Sequence, residues 1–157
     1  MPSHRAQGFT LIELVTVLLL IAILSVAASN QWPGSGINLA AQADQLVNDI
    51  RYTQSLAMNN GQRYRINLAA DRYWISDAGG TVTVPLPVNN AAEVMLNSGI
   101  ALSTAYSFLV FDGNGAPYIT ATTPGTALAT DAVITLSADG ESRTLHISPQ
   151  TGRVLKL

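Results

Sequence analysis

The sequence predicts an α+β fold: one long N-terminal helix, its first half membrane-spanning, packed on an antiparallel β-sheet. Three observations carry this. Residues 14–29 contain no charge. Leu39, Ala43, Leu46, Ile50, Thr53 and Ala57 then recur at spacings of three and four, the period of a helix with one buried stripe. Beyond Gly61 the pattern falls to a period near two, the mark of half-buried strands. A helical stretch followed by a run of strands gives α+β, with the sheet covering the helix stripe.

The composition sets the frame. A chain of 157 residues makes one ordinary domain. Apolar residues reach 48% and charged ones only 11%, against roughly 25% charged in a typical soluble protein, which excludes a disordered chain. A net charge of -2 excludes the broad basic footprint of a dedicated nucleic-acid binder. With no cysteine, disulfide scaffolds, thiol catalysis and Cys-based metal sites are excluded, and two histidines, His4 and His146, exclude a His-rich metal centre.

The first element is the apolar run. Twenty residues, 9–28, are interrupted only by the charge of Glu13. At 1.5 Å per residue they span about 30 Å, the thickness of a bilayer core. Arg5 and the amino terminus precede them, which favours a cytoplasmic N-terminus with the remainder translocated. A secretory signal peptide has a shorter apolar region and a clearer A-x-A site than Val26-Ala27-Ala28. Neither that nor a plain uncleaved anchor accounts for Glu13. A carboxylate in an apolar helix costs roughly 2.5–3.5 kcal/mol on insertion scales unless it has a partner or snorkels to water. If the chain is cut after Gly8, Phe9 bears a new amine one helical turn before Glu13, and on a neighbouring copy that amine is a natural partner.

Gly8-Phe9-Thr10-Leu11-Ile12-Glu13-Leu14 resembles the type IV prepilin signal of type IV pilins and type II secretion pseudopilins. The resemblance implies a peptidase that cuts between Gly8 and Phe9, N-methylation of Phe9, and a role for Glu13 in docking the subunit onto a growing filament. It implies as partners a prepilin peptidase, other pilins or pseudopilins and an inner-membrane assembly platform. It implies a pilin-like fold and no cofactor. The resulting division is a leader at 1–8, a transmembrane and filament-core helix at 9–29, a break or linker at 30–38 and a periplasmic domain at 39–157. Trp32 suits an interfacial anchor, and Pro33 and Gly34 break a helix. Major pilins often carry proline at the position of Asn30, and its absence here argues for a minor pilin or pseudopilin.

The later elements follow in order. The second helical segment turns Asp44, Asn48, Arg51 and Ser55 outward and places Tyr52 and Leu56 at the flank of the stripe, with Gly61 as its C-cap. Those flank residues suit either a broad core face or contact with the next subunit. Tyr64, Ile66 and Leu68 alternate with Arg63, Arg65 and Asn67, then Tyr73-Trp74-Ile75-Ser76 returns after an Ala70-Asp71 turn, a hairpin. Residues 81–84 read as a strand, and 106–111 as one buried on both faces. Strands around 133–136 and 144–147 flank Asp139-Gly140, a two-residue hairpin signal. Residues 120–131 read as a long surface loop and 153–157 as a last short strand.

Three short stretches resemble the subgroup of secretion pseudopilin H and FimT- and FimU-type minor pilins. They are Ala43-Asp44-Gln45-Leu46 leading to Arg51-Tyr52, Phe111-Asp112-Gly113-Asn114-Gly115, and Thr151-Gly152-Arg153-Val154. The second resembles the start of a calcium loop, but Ala116-Pro117-Tyr118 follows where more oxygen ligands are needed, so a Gly-rich turn is the better reading. Some FimT-like pilins resemble DNA-uptake receptors with a G-R-x-R tail. Here Gly152-Arg153-Val154-Leu155 lacks the second arginine, with Lys156 next, and phosphate binding needs several cations together. His146 lacks a recognisable catalytic partner and reads as an ordinary strand histidine. No nucleophile or phosphate-loop motif appears.

The expectation is a non-enzymatic structural subunit of a type II secretion pseudopilus or a type IV (including MSHA-like) pilus. It sits in the bacterial inner membrane as a single-pass protein with its globular domain in the periplasm. The alternatives are a periplasmic binding module on an uncleaved anchor, which would keep residues 1–8, and a DNA-uptake receptor, whose salt-sensitive binding would depend on Arg153 and Lys156.

Overall fold

The computed structural model describes residues 10–29, 35–87 and 90–157, with the backbone alone at 26–29 and Ser35. The expected cleavage site at Gly8 and Phe9, and the break containing Trp32, Pro33 and Gly34, lie outside the described residues. The chain divides into two compact units, Met1–Gly34 and Ser35–Leu157.

The first unit contributes helix α1, Leu11–Ser29. Thr10 caps it: its carbonyl accepts from the Glu13 and Leu14 amides at 3.1 and 3.2 Å, and its hydroxyl lies 3.4 Å from the Glu13 amide. Among the described residues no helix is by itself long and apolar enough to cross a membrane.

The second unit opens with α2, Ser35–Asn60, which starts four residues ahead of the first stripe residue, Leu39. Its stripe is buried as the spacing predicts: Leu39, Ala43, Leu46, Ile50, Thr53 and Ala57 are all at 0% exposure, with Val47 at the edge. Asp44, Asn48, Arg51 and Ser55 face solvent, and Tyr52 and Leu56 pack half-buried against the core. Gly61 ends the helix at φ +61°, a left-handed conformation that costs glycine little.

Among the described residues the strands form two sheets where the sequence pattern predicts one. The first holds β1 (Tyr64–Leu68), β2 (Arg72–Asp77), β3 (Thr83–Val84), β4 (Val94–Met95), β6 (Phe108–Phe111) and β7 (Pro117–Tyr118). Its order is β3-β2-β1-β6-β7, with β4 also on β2. The second holds β5 (Ala101–Thr104), β8 (Ala132–Ala138), β9 (Glu141–Ile147) and β10 (Val154–Lys156), in the order β10-β9-β8-β5. Every pairing is antiparallel, and α2 packs on strands of both sheets. Ile66, Leu68, Tyr73 and Ile75 from one sheet and Ile134, Leu136, Leu145 and Ile147 from the other close one core with the helix stripe.

The expected hairpins form in register. Ile66 faces Ile75 across β1 and β2, and Asp139 (φ +49°) with Gly140 (φ +83°) turns β8 into β9, as two successive positive φ values require. β6 is buried on both sides: Leu109 and Phe111 enter the core, while Val110 lies between Arg65 and Tyr118 on the opposite face. On that face the Arg63 and Arg65 guanidinium groups stack over Tyr118 and Phe108 at 4.4 and 4.8 Å.

The strand expected over 81–84 contracts to Thr83–Val84. The Asp77 carboxylate is the reason. It accepts from the Thr81 amide at 2.7 Å, the Thr81 hydroxyl at 3.0 Å and the Val82 amide at 2.8 Å, holding those residues in a turn. These donors, the Val82 amide foremost, lower the Asp77 pKa below the ordinary carboxylate value.

Candidate functional site

The residues named from the sequence fall into three sets, one in the first unit and two in the second. The first is the start of α1. Glu13 stands in its first turn, where the helix dipole favours a carboxylate, and the Thr16 hydroxyl donates to its carbonyl at 2.9 Å. Among the described residues no ion pair includes the Glu13 carboxylate. Around it the large apolar side chains of α1 are open, from 42% exposure at Val15 to 82% at Leu11. The start of α1 thus presents an acid among exposed apolar side chains.

The second place unites the three short family-like stretches, which the sequence leaves about 30 to 60 residues apart. The Gln54 amide on α2 donates to the Gly115 carbonyl at 2.8 Å and to the Thr151 carbonyl at 2.7 Å. One turn earlier Arg51 donates to the Val154 carbonyl at 3.3 Å, and Asp44 pairs with Lys156. The rim of α2 thereby grips both the loop after β6 and the C-terminal strand. Gly152 sits in the middle at φ +62°, where a Cβ would come within 2.6 Å of the Gln54 amide and the Gly115 carbonyl. Gln54 belongs to none of the family-like stretches. Its position beside Arg51, one helical turn away, was the available signal.

The same stretches carried two ligand readings, and the contacts of their polar side chains bear on both. One oxygen of Asp112 accepts from the Asn114 and Ala116 amides, both at 2.9 Å, and the Gly115 amide closes the turn on the Asp112 carbonyl. That oxygen serves the turn, as the Gly-rich-turn reading expects. Among the described residues no three potential metal-ligating side chains cluster. At the C-terminus Arg153 is exposed, whereas Lys156 is held by Asp44, so the two cations expected to act together do not form a free basic pair.

The third place is His146. Its Nδ1 lies 3.5 Å from Asp131, and its neighbours across the ladder are Val133 and Leu155. Neither offers a nucleophile, and the arrangement is that of a half-buried strand histidine beside a surface carboxylate.

A polar pair that the sequence reading did not single out lies in the core. Asp49 is 1% exposed on the inner side of α2, and Tyr73, also 1% exposed on β2, donates its hydroxyl to Asp49 Oδ2 at 2.7 Å. Burial raises the Asp49 pKa, partly offset by that hydrogen bond. Burial, then the bond to Asp49, pushes the Tyr73 phenol far above its ordinary value, so it stays a donor. The bond pins helix to sheet. The signal was there: Asp49 falls three positions after Leu46 and beside Ile50, on the stripe itself.

Residues 3–29 match the model of the prokaryotic N-terminal methylation motif, and residues 42–151 match that of type II transport protein GspH. The chain is 33% identical over 94 residues to competence protein ComGD of Bacillus subtilis, a stretch covering 59% of this chain and 66% of that protein, just short of two thirds of its length. Among solved structures it is similar to the type IV minor pilin FimU of Pseudomonas aeruginosa, with a TM-score of 0.55 and 19% identity over 74% of this chain and 86% of that one. It is also similar to the minor pseudopilin EpsH of the type 2 secretion system of Vibrio cholerae, with a TM-score of 0.56 and 11% identity over 76% of this chain and 96% of that one. At these identities the structural likeness establishes the fold, a helix packed on antiparallel sheets.

Proposed function

We propose a function from one premise: the chain belongs to the type II transport protein GspH family. The protein is a minor pilin or pseudopilin whose work is assembly, not catalysis. A prepilin peptidase cuts between Gly8 and Phe9, and Phe9 is methylated. The helix over residues 9–29 first spans the inner membrane, N-terminus in the cytoplasm, and then enters the core of a filament. A break expected within residues 30–38, shortened at its C-terminal side because 35–38 already belong to α2, links it to the periplasmic domain. The partners are other pilins or pseudopilins and the inner-membrane assembly platform.

The observation that supports this best is Glu13 at the head of an apolar helix with no ion pair among the described residues. A carboxylate in apolar surroundings needs a counter-charge. The amine of a processed Phe9 on a neighbouring subunit supplies one, and the match to the methylation motif over 3–29 supports the processing. Neutralisation then couples docking to correct axial placement, because only one stagger of two helices brings the amine to the acid.

The setting is a secretion pseudopilus or a type IV pilus. The likeness to a protein named for competence adds a filament serving competence as a second setting. DNA binding through Arg153 and Lys156 has less support, since Asp44 engages Lys156. The test is the intact mass of the protein from membranes of its native host. Loss of residues 1–8 with one added methyl group is the expected result. A full-length mass, with the host peptidase shown to be active, overturns the assignment and leaves an anchored periplasmic domain.

A further inference from the structure

The outer edge of β2 is flanked by two short strands in tandem. β4 pairs with Arg72 and Tyr73, and β3 pairs with Ile75 and Ser76. Trp74 falls between them. Tyr73 and Ile75 on either side are buried in the core, so the half-exposed Trp74 ring belongs to the outer face. It lines an open cleft of about 480 Å³ together with the apolar Ala69 and Ala92 and the polar Asp71, Arg72, Thr83 and Glu93. The Arg72 guanidinium is shared between the two acids: Nε lies 3.3 Å from Asp71 Oδ1, Nη2 3.4 Å from Asp71 Oδ2, and Nη1 3.4 Å from Glu93 Oε2. These bonds are longer than the usual N–H···O distance, and the side chains are 41%, 61% and 44% exposed for Arg72, Asp71 and Glu93. Donors and acceptors therefore remain open to a second partner.

We propose that this cleft binds a neutral saccharide. A pyranose ring has an apolar C–H face and a rim of hydroxyls that each donate and accept. The lining offers both kinds of surface: the Trp74 indole and two alanines, and a guanidinium bonded to two carboxylates. The three charges sum to -1, which disfavours phosphate. Arg72 lies between the carboxylates and opposes a cation. The volume falls in the range of small-molecule sites and holds one or two sugar rings.

The chain has two tryptophans, so Trp32→Phe leaves Trp74 as the only indole. The full chain carrying that change is kept in a polyoxyethylene detergent, because a maltoside headgroup would compete. It is titrated with maltose and with N,N′-diacetylchitobiose, and Trp74 fluorescence is followed. A saturable change is expected with at least one disaccharide, weakened about tenfold by Glu93→Gln. Saturation-transfer NMR on the same sugars is expected to lose its signal in Trp74→Ala and keep part of it in Trp74→Phe, both checked for unchanged thermal unfolding. No fluorescence change with either sugar, or an NMR signal that survives in a folded Trp74→Ala, overturns the proposal. A response to oligolysine or polyphosphate in place of the sugars also overturns it and assigns the cleft to a basic protein segment or an anionic ligand.

Discussion

The two helices of this chain are built from opposite patterns. Among the described side chains, the large apolar residues of α1 stay at least 42% exposed, whereas the stripe of α2 reaches 0%, with only Ile37 and Met58 near its ends left open. Burying a side chain of that size stabilises by about 1.5–3 kcal/mol, so α2 contributes to the fold of its own chain. The same residue types in α1 stay exposed, and on the proposed function lipid or other helices cover them. Glu13 sharpens the contrast. The buried acid of α2, Asp49, has its partner on β2 of the same chain, while no ion pair within the described residues includes Glu13. A region that finds all its partners within the chain is a fold.

The largest expected effect breaks that comparison at Glu13. Replacing Glu13 with Ala is expected to leave the unfolding of the globular unit unchanged and to abolish incorporation into filaments, read by recovery of the subunit in sheared or purified filaments. Normal incorporation would remove the proposed pairing with the Phe9 amine. A matched pair of deletions probes the apolar surfaces directly. Leu46→Ala opens a cavity in a side chain at 0% exposure and is expected to cost about 3 kcal/mol in denaturant unfolding. Leu18→Ala, at 59% exposure in α1, is expected to leave that transition where it was. An equal loss from both changes would mean that α1 is part of the folding unit after all.

The next effect in size concerns the grip of α2 on the C-terminus. Gly152→Ala places a β-carbon at φ +62°, 2.6 Å from both the Gln54 amide and the Gly115 carbonyl. Backbone strain and overpacking together predict a loss of roughly 2–3 kcal/mol. Gln54→Ala removes two hydrogen bonds from a partly exposed position and is expected to cost about 1 kcal/mol. A smaller loss for the glycine change than for the glutamine change would show that the loop after β6 yields, and that the grip is looser than its geometry.

What the sequence disclosed follows the same division. The α2 stripe was legible residue by residue, because a helix buried on one side writes its period into the chain. The Asp139-Gly140 hairpin was legible because only a few residues tolerate two positive φ values. The partition into two sheets was not. β4 and β7 are two residues long, and β5 offers one fully inward residue, Leu102, so none of them carries a countable alternation. β4 pairs with β2, more than 20 residues before it, and β5 with β8, 30 or more residues after it, while β7 folds back on the neighbouring β6. The candidate site divided likewise. Glu13 stood out as a lone charge in an apolar run, but the convergence of Arg51 and Gln54 with Gly115, Thr151 and Val154 depends on tertiary contact. Asp49 was hidden for a different reason: an acid on a buried stripe reads as an imperfection until its phenol partner is in view.

Asp49 gives the smallest effect and the finest test of the comparison, because here an acid's partner lies inside the chain. Its pKa is raised in the fold by burial, so the fold binds the proton more tightly than the unfolded chain does. Stability from this group is therefore fully present below the ordinary carboxylate value of about 3.9. It declines as the pH rises through the raised value. Asp49→Asn keeps an acceptor for the Tyr73 hydroxyl and removes the charge, so it is expected to flatten that decline. At neutral pH the Asn variant should be at least as stable as the parent, and the advantage should shrink as the pH falls toward 4. Denaturant midpoints of both proteins at several pH values measure this. A parent that gains on the variant as the pH rises would mean that the ionised carboxylate is stabilised inside the core, by the Tyr73 bond overriding desolvation, and that the internal partner of the acid is stronger than burial allows.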